Sequence, residues 1–139
     1  MNATIKWVDG LQFIGESATN HAIVMDGDID SGGKNTGMRP TELLLIGLGG
    51  CSGMDVASVL QKKKQQITDI VINVKGIQAE SYPKKFTEIE IEFVVTGKDI
   101  SEEAVKRAVE LSMDKYCSVK ATLEGSAKIT FSYRIVKIS

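Results

Sequence analysis

Apolar positions cluster over residues 3–8, 11–17 and 21–25, and each stretch predicts a short strand. The first two are joined by Asp9-Gly10, a pair that suits a tight hairpin turn. The pattern then lapses from Asp26 to Gly37, where glycine and aspartate dominate and a long loop is expected. Pro40 opens a helix, since its missing N–H costs nothing at the first helical position, and the periodicity carries that helix to about Lys63. From Leu43 to Leu48 the helix is apolar almost all round, the mark of a helix covered on most sides. Period-two patterns appear at 67–78 and 86–96. In the second, Ile89, Ile91, Phe93 and Val95 interleave with Glu88, Glu90 and Glu92, as a half-buried antiparallel strand requires.

Ser101, followed by Glu102 and Glu103, caps a second helix, with Val105, Ala108, Val109, Ser112, Met113 and Tyr116 as its inward stripe. A short segment ends at Gly125, and Ile129, Phe131, Tyr133 and Ile135 alternate in a last strand. The order βββ-α-ββ-α-β predicts an α+β fold in which strands paired in hairpins are interrupted by two helices. The chain has 139 residues, a length that suits one domain over 1–139.

Composition narrows the function more than the fold. Seventeen basic against eighteen acidic side chains leave a net charge of −1, so no electrostatic footprint for nucleic acid exists. The run Lys62-Lys63-Lys64 reads as a solvated face. No stretch of about 18 uncharged apolar residues suggests a membrane span. The first residues, Met1 to Lys6, lack the pattern of a signal peptide, and a cytoplasmic location is the expectation. One histidine and two cysteines cannot furnish the four Cys/His ligands of a structural zinc site, so no metal is expected. The loop at 26–37 matches neither a calcium nor a phosphate loop. His21 reads as structural. Trp7, Phe13, Tyr82 and Phe86 read as core or interface residues, any of which suits an apolar pocket.

The unusual segment is Gly47-Leu48-Gly49-Gly50-Cys51-Ser52-Gly53. Four glycines inside a helix cost about 3–4 kcal/mol relative to alanine, so something must offset them. Gly49, Gly53 and Ala57 share one face, which lets another backbone approach closely. Tight packing around a passive buried thiol is one explanation. A nucleophile elbow is not, because it needs a strand before the cysteine and a histidine after it. A third explanation joins Cys51 to Cys117, which follows the second helix: a disulfide forms if their Cα atoms come within about 4.4–6.8 Å. A thiolate that becomes a sulfenic acid beside a second thiol is what a thiol peroxidase requires. Asp55, one turn after Cys51, reads as a supporting or capping residue.

The segment Pro40-Thr41-Glu42-Leu43-Leu44-Leu45-Ile46-Gly47-Leu48-Gly49-Gly50-Cys51-Ser52-Gly53-Met54-Asp55-Val56, with Tyr116-Cys117-Ser118-Val119 downstream, resembles the OsmC/Ohr family of organic hydroperoxide reductases. The likeness extends over nearly the whole chain and is nearest to the less characterised OsmC-like branch. It implies an intertwined homodimer, with antiparallel sheets around two central helices and two active sites at the subunit interface. It also implies a peroxidatic Cys51, a resolving Cys117, an organic hydroperoxide as substrate and a dithiol reductant, lipoyl groups among them, with no cofactor. The better-studied reductases carry an arginine in the N-terminal strands and a glutamate ten residues before the first cysteine. Here no arginine precedes Arg39, and position 41 is threonine. Arg39 and Glu42 are the candidates to supply the cation and orient it. The rival expectation is a non-enzymatic dimer of the same fold that binds an apolar ligand or senses oxidants.

Overall fold

A computed structural model describes all residues from Met1 to Ser139. The chain divides into two compact units, Met1–Leu44 and Leu45–Ser139. The first is a three-stranded antiparallel sheet of β1 (Ala3–Asp9), β2 (Gln12–Ser17) and β3 (Ala22–Met25), paired in sequence order. Gly10, at the hairpin turn, has φ +56°, a conformation that favours glycine. The loop after β3 is organised around Asp26, whose buried carboxylate accepts bonds from the backbone N–H groups of Gly27, Lys34 and Thr36. The Thr36 hydroxyl adds a fourth at 2.6 Å and itself accepts from Gln12 of β2. These donors, the Thr36 hydroxyl foremost, hold the Asp26 carboxyl down at about 2.

The second unit contains β4 (Gln66–Gln78), β5 (Phe86–Lys98) and β6 (Lys128–Ile138), in that order across one sheet. The β4–β5 pair is antiparallel, but β5 and β6 run parallel, from Glu88 opposite Lys128 to Lys98 opposite Ile138. The expectation of antiparallel sheets throughout is therefore corrected. The reason lies in the connection: a helical segment between β5 and β6 returns the chain to the starting edge, which a hairpin cannot do.

Helix α1 (Pro40–Lys62) begins in the first unit and continues into the second. Arg39 is its N-cap, Pro40 its first residue, and Glu42 Oε1 accepts from the Arg39 backbone N–H at 2.8 Å, half of a capping box. Its far end closes in a Schellman motif, with Gln65 N–H bonded to Leu60 O and Lys64 N–H to Gln61 O. Lys64 takes the left-handed position at φ +54° that glycine usually fills. The lysine run itself is exposed, as expected.

Although no uncharged 18-residue run was expected, α1 is long and apolar enough to cross a membrane by length and composition, with a mean hydropathy of 1.7. It is a partly buried core helix instead. Leu48, Ser52, Val56 and Leu60 recur every four residues and are fully buried. They join Ile89, Ile91, Phe93 and Val95 of β5 and Val105, Ala108 and Val109 of α2 (Glu102–Leu111) in one core. The predicted alternation on β5 and the Ser101 cap on α2 both hold, Ser101 Oγ accepting from Ala104 N–H at 3.2 Å.

The glycine face of α1 meets side chains rather than a second backbone. A Cβ at Gly49 would lie 3.2 Å from Val74, and one at Gly53 only 2.8 Å from Ile72, both on β4. On the side away from the buried Leu48, Ser52 and Val56, Ile46, Gly50 and Met54 form an exposed line, with Met54 at 75%. Of the four aromatic residues expected in core or interface, Phe86 packs against the core, whereas Trp7 (65%) and Tyr82 (85%) are exposed.

Candidate functional site

The chemistry is concentrated in the second unit, where α1 meets the segment that follows α2. That segment is not a continuous α-helix. Ser112–Tyr116 forms a π-helical turn, closed by Cys117 N–H on Ser112 O at 2.8 Å, and a short helix α3 follows at Ser118–Leu123. The extra residue in this turn rotates Tyr116 outward, so it does not complete the inward stripe. It also leaves Cys117 in extended backbone as the N-cap of α3, where its sulfur accepts from Lys120 N–H at 3.4 Å. A thiol here takes the place usually held by a serine or aspartate oxygen.

Cys51 lies in α1, half-buried, and Cys117 is buried; both are free thiols. Asp55, one turn after Cys51, completes a cluster in which two sulfurs and one carboxylate oxygen all lie within 4.8 Å of one another. Two fully buried serines support it. Ser52 Oγ donates to Cys117 Sγ at 3.3 Å, and Ser112 Oγ donates to Asp55 Oδ2 at 2.9 Å. Burial pushes the Cys117 thiol above its ordinary range, the Ser52 and Lys120 donors pull it back, and a charged Cys51 nearby raises it again. Of two thiols this close, then, the ionisation of one opposes that of the other. Asp55, Ser58, Val59, Lys62, Lys63, Leu111 and Tyr116 line an open groove of about 390 Å³ that reaches this cluster at Asp55.

The structure brings the sulfurs of Cys51 and Cys117 to within 4.8 Å of each other. Arg39 and Glu42 belong to the first unit. The Arg39 guanidinium donates to Gly37 O at 3.0 Å and to Asn35 Oδ1 at 2.8 Å, while Glu42 holds the Arg39 backbone rather than its side chain. His21 is exposed and bonded to Thr19.

Ser112 falls on the inward stripe that the sequence predicts for the second helix, and no motif distinguishes Ser52. Their signal was a hydroxyl at a position whose neighbours in the helical stripe are all apolar.

A sequence model of the family described as OsmC-like protein matches residues 32–132, well over half of the chain. The chain belongs to the OsmC family. Within it, similarity is high to YhfA of Escherichia coli K12, 47% identical over 136 residues and 98% of each chain. A solved structure described as a hypothetical protein from Aquifex aeolicus is 33% identical and superposes with a TM-score of 0.87 over 99% of this chain and 97% of the other. An organic hydroperoxide resistance protein from Legionella pneumophila shares the OsmC fold at a TM-score of 0.67, with 13% identity over 99% and 98% of the two chains. In sequence this OsmC protein therefore stands much nearer to YhfA than to that hydroperoxide resistance protein.

Proposed function

We propose that the protein is a two-cysteine thiol peroxidase that reduces organic hydroperoxides to alcohols in oxidative stress defence. The observation that carries the reading is the approach of Cys51 and Cys117, brought from separate elements to within 4.8 Å in one partly buried cluster. Membership of a family that includes a hydroperoxide resistance protein supports it.

In this mechanism the Cys51 thiolate attacks the distal oxygen of the hydroperoxide. The O–O bond breaks, the alkoxide leaves and takes a proton as the alcohol, and Cys51 becomes a sulfenic acid. The Cys117 sulfur then attacks the Cys51 sulfur. The S–O bond breaks, hydroxide departs with the thiol proton as water, and a Cys51–Cys117 disulfide remains. Two electrons from an external dithiol, such as a protein-bound lipoyl group, restore both thiols by exchange. Half-exposure suits Cys51 to the first step and burial suits Cys117 to the second.

The working unit of the proposal is a cytoplasmic homodimer. The exposed line of Ile46, Gly50 and Met54 on α1 supports it, as do the exposed Trp7 and Ile5 on β1, since apolar area of this kind marks a contact surface. The exposed apolar residues Ile46 and Met54 of α1 also favour a second reading, a redox-sensing or apolar-ligand-binding dimer, which needs an apolar surface but no turnover at the thiols.

The deciding experiment counts free thiols and measures mass after one equivalent of cumene hydroperoxide or hydrogen peroxide. The peroxidase reading expects rapid loss of two thiols in wild type, a trapped sulfenic acid in Cys117→Ser, and preference for the organic peroxide. Persistence of both thiols for hours would sink the enzyme and leave the ligand-binding dimer.

A further inference from the structure

We propose that Cys51, Asp55 and Cys117 form a binding site for one thiophilic divalent cation of the zinc class. The inference does not depend on the peroxidase reading, since it needs only two thiols and a carboxylate that converge.

Cys51 and Asp55 stand at i and i+4 on one face of α1, the spacing that lets two side chains on a helix share one ion. Cys117 reaches the same point from the N-cap of α3, across the packed interior of the unit. Donor atoms around a tetrahedral zinc lie about 3.8 Å apart when two are sulfurs bonded at about 2.3 Å. The present separations of up to 4.8 Å close to that value by an inward shift of side chains alone.

The donor set selects the ion. Two sulfurs exclude magnesium and calcium, which take oxygen, and suit zinc or cadmium. Counting four Cys/His ligands rules out a closed structural zinc site, but not three protein donors with a fourth position left open. That open position is the arrangement of a reactive or exchangeable ion.

Metal-site ligands are characteristically oriented by outer hydrogen bonds, and this cluster has them in place. Ser112 fixes one carboxylate oxygen of Asp55 and leaves the other available, while Ser52 donates to Cys117. These are two of the three buried polar residues in the chain, and both serve this one cluster. The groove bordered by Asp55, Ser58 and Leu111 supplies an entry path.

On binding, both thiols release their protons to solvent and their sulfurs bond to the cation, with no change of oxidation state. Coordination draws electron density from the sulfur and lowers its nucleophilicity, so cation and oxidant compete for Cys51.

The test titrates the reduced, metal-free, full-length protein with Cd²⁺ under nitrogen and follows the cadmium–thiolate ultraviolet band, with Zn²⁺ as competitor. One ion per chain with a Kd of about 1 μM or tighter is expected. Binding weakens at least about tenfold in Asp55→Asn and about 10- to 100-fold in Ser112→Ala, with unchanged circular dichroism in both. It disappears in Cys51→Ser and after the two thiols are oxidised to a disulfide. Absence of the band in wild type, or an affinity unchanged from wild type in both Asp55→Asn and Ser112→Ala, would overturn the site. Loss of thiols to cumene hydroperoxide in the metal-free protein is scored separately. A protein that consumes peroxide but binds no cation refutes this inference alone; one that binds cadmium but ignores peroxide refutes the peroxidase alone.

Discussion

Removal of one hydroxyl, in Ser52→Ala, separates the two halves of the proposed reaction. Ser52 is fully buried and its hydroxyl donates to Cys117 Sγ at 3.3 Å. Alanine fills the same space without its own polar group, and the sulfur keeps its bond from Lys120 N–H, so no buried donor is orphaned. A hydrogen bond of this kind contributes about 0.5–1.5 kcal/mol, and fold stability should fall by no more than that. The chemical effect is more selective. The donor offsets part of the rise that burial imposes on the Cys117 thiol, so its loss pushes that thiol further up. If the same 0.5–1.5 kcal/mol is lost from the reacting sulfur, disulfide formation slows about 2- to 10-fold. A rapid-quench assay with a sulfenic acid trap measures both steps in one experiment. Cys51 oxidation should keep its rate, disulfide formation should slow, and its pH profile should move to higher pH. Equal slowing of the two steps, or no slowing of either, would refute a role for Ser52 in holding the resolving sulfur.

Lys64→Gly relieves the left-handed position at the end of α1 and should stabilise the protein by about 1 kcal/mol, a rise of about 3–5 °C in Tm by calorimetry. Asp26 has a folded pKa of about 2 against an ordinary 3.8, so its stabilisation is complete above pH 4 and disappears as pH falls through 2. Asp26→Asn should therefore be less stable at neutral pH, and denaturant midpoints should show the gap narrowing between about pH 4 and 2. Gly53→Val crowds the end of Ile72 and should cost about 1–3 kcal/mol in urea unfolding, part of it recovered by adding Ile72→Ala.

The fold was largely legible because period-two and period-3.6 patterns are written residue by residue. The apolar alternation of Ile89, Ile91, Phe93 and Val95 on β5 and the Pro40 start of α1 are local facts, and both matched the structure. The parallel pairing of β5 with β6 was not legible, because strand direction is decided by where a long connection returns and not by alternation within either strand. The π-turn escaped for a related reason. Ser112, Met113 and Tyr116 fit an α-helical stripe, and only the closing bond from Cys117 to Ser112 reveals the inserted residue. The cysteine pair was visible as residues and spacing, but the serines that support it emerge only when two distant segments are superposed in space. Arg39 was found by its charge; its engagement with Asn35 and Gly37 depends on the loop's shape.

The parallel β5–β6 ladder also bears on how the chain is made. Strands β1 to β3 each find their partner as soon as the next hairpin leaves the ribosome, so the first sheet assembles during synthesis. Strand β5 pairs with β4 on one side but waits for β6 on the other, about thirty residues downstream and about 2–6 s at ordinary elongation rates. During that interval one edge of an apolar strand is an open template for any neighbouring nascent chain. Slow codons between β5 and β6 would lengthen the exposure, and crowded polysomes would increase the number of chains able to use it.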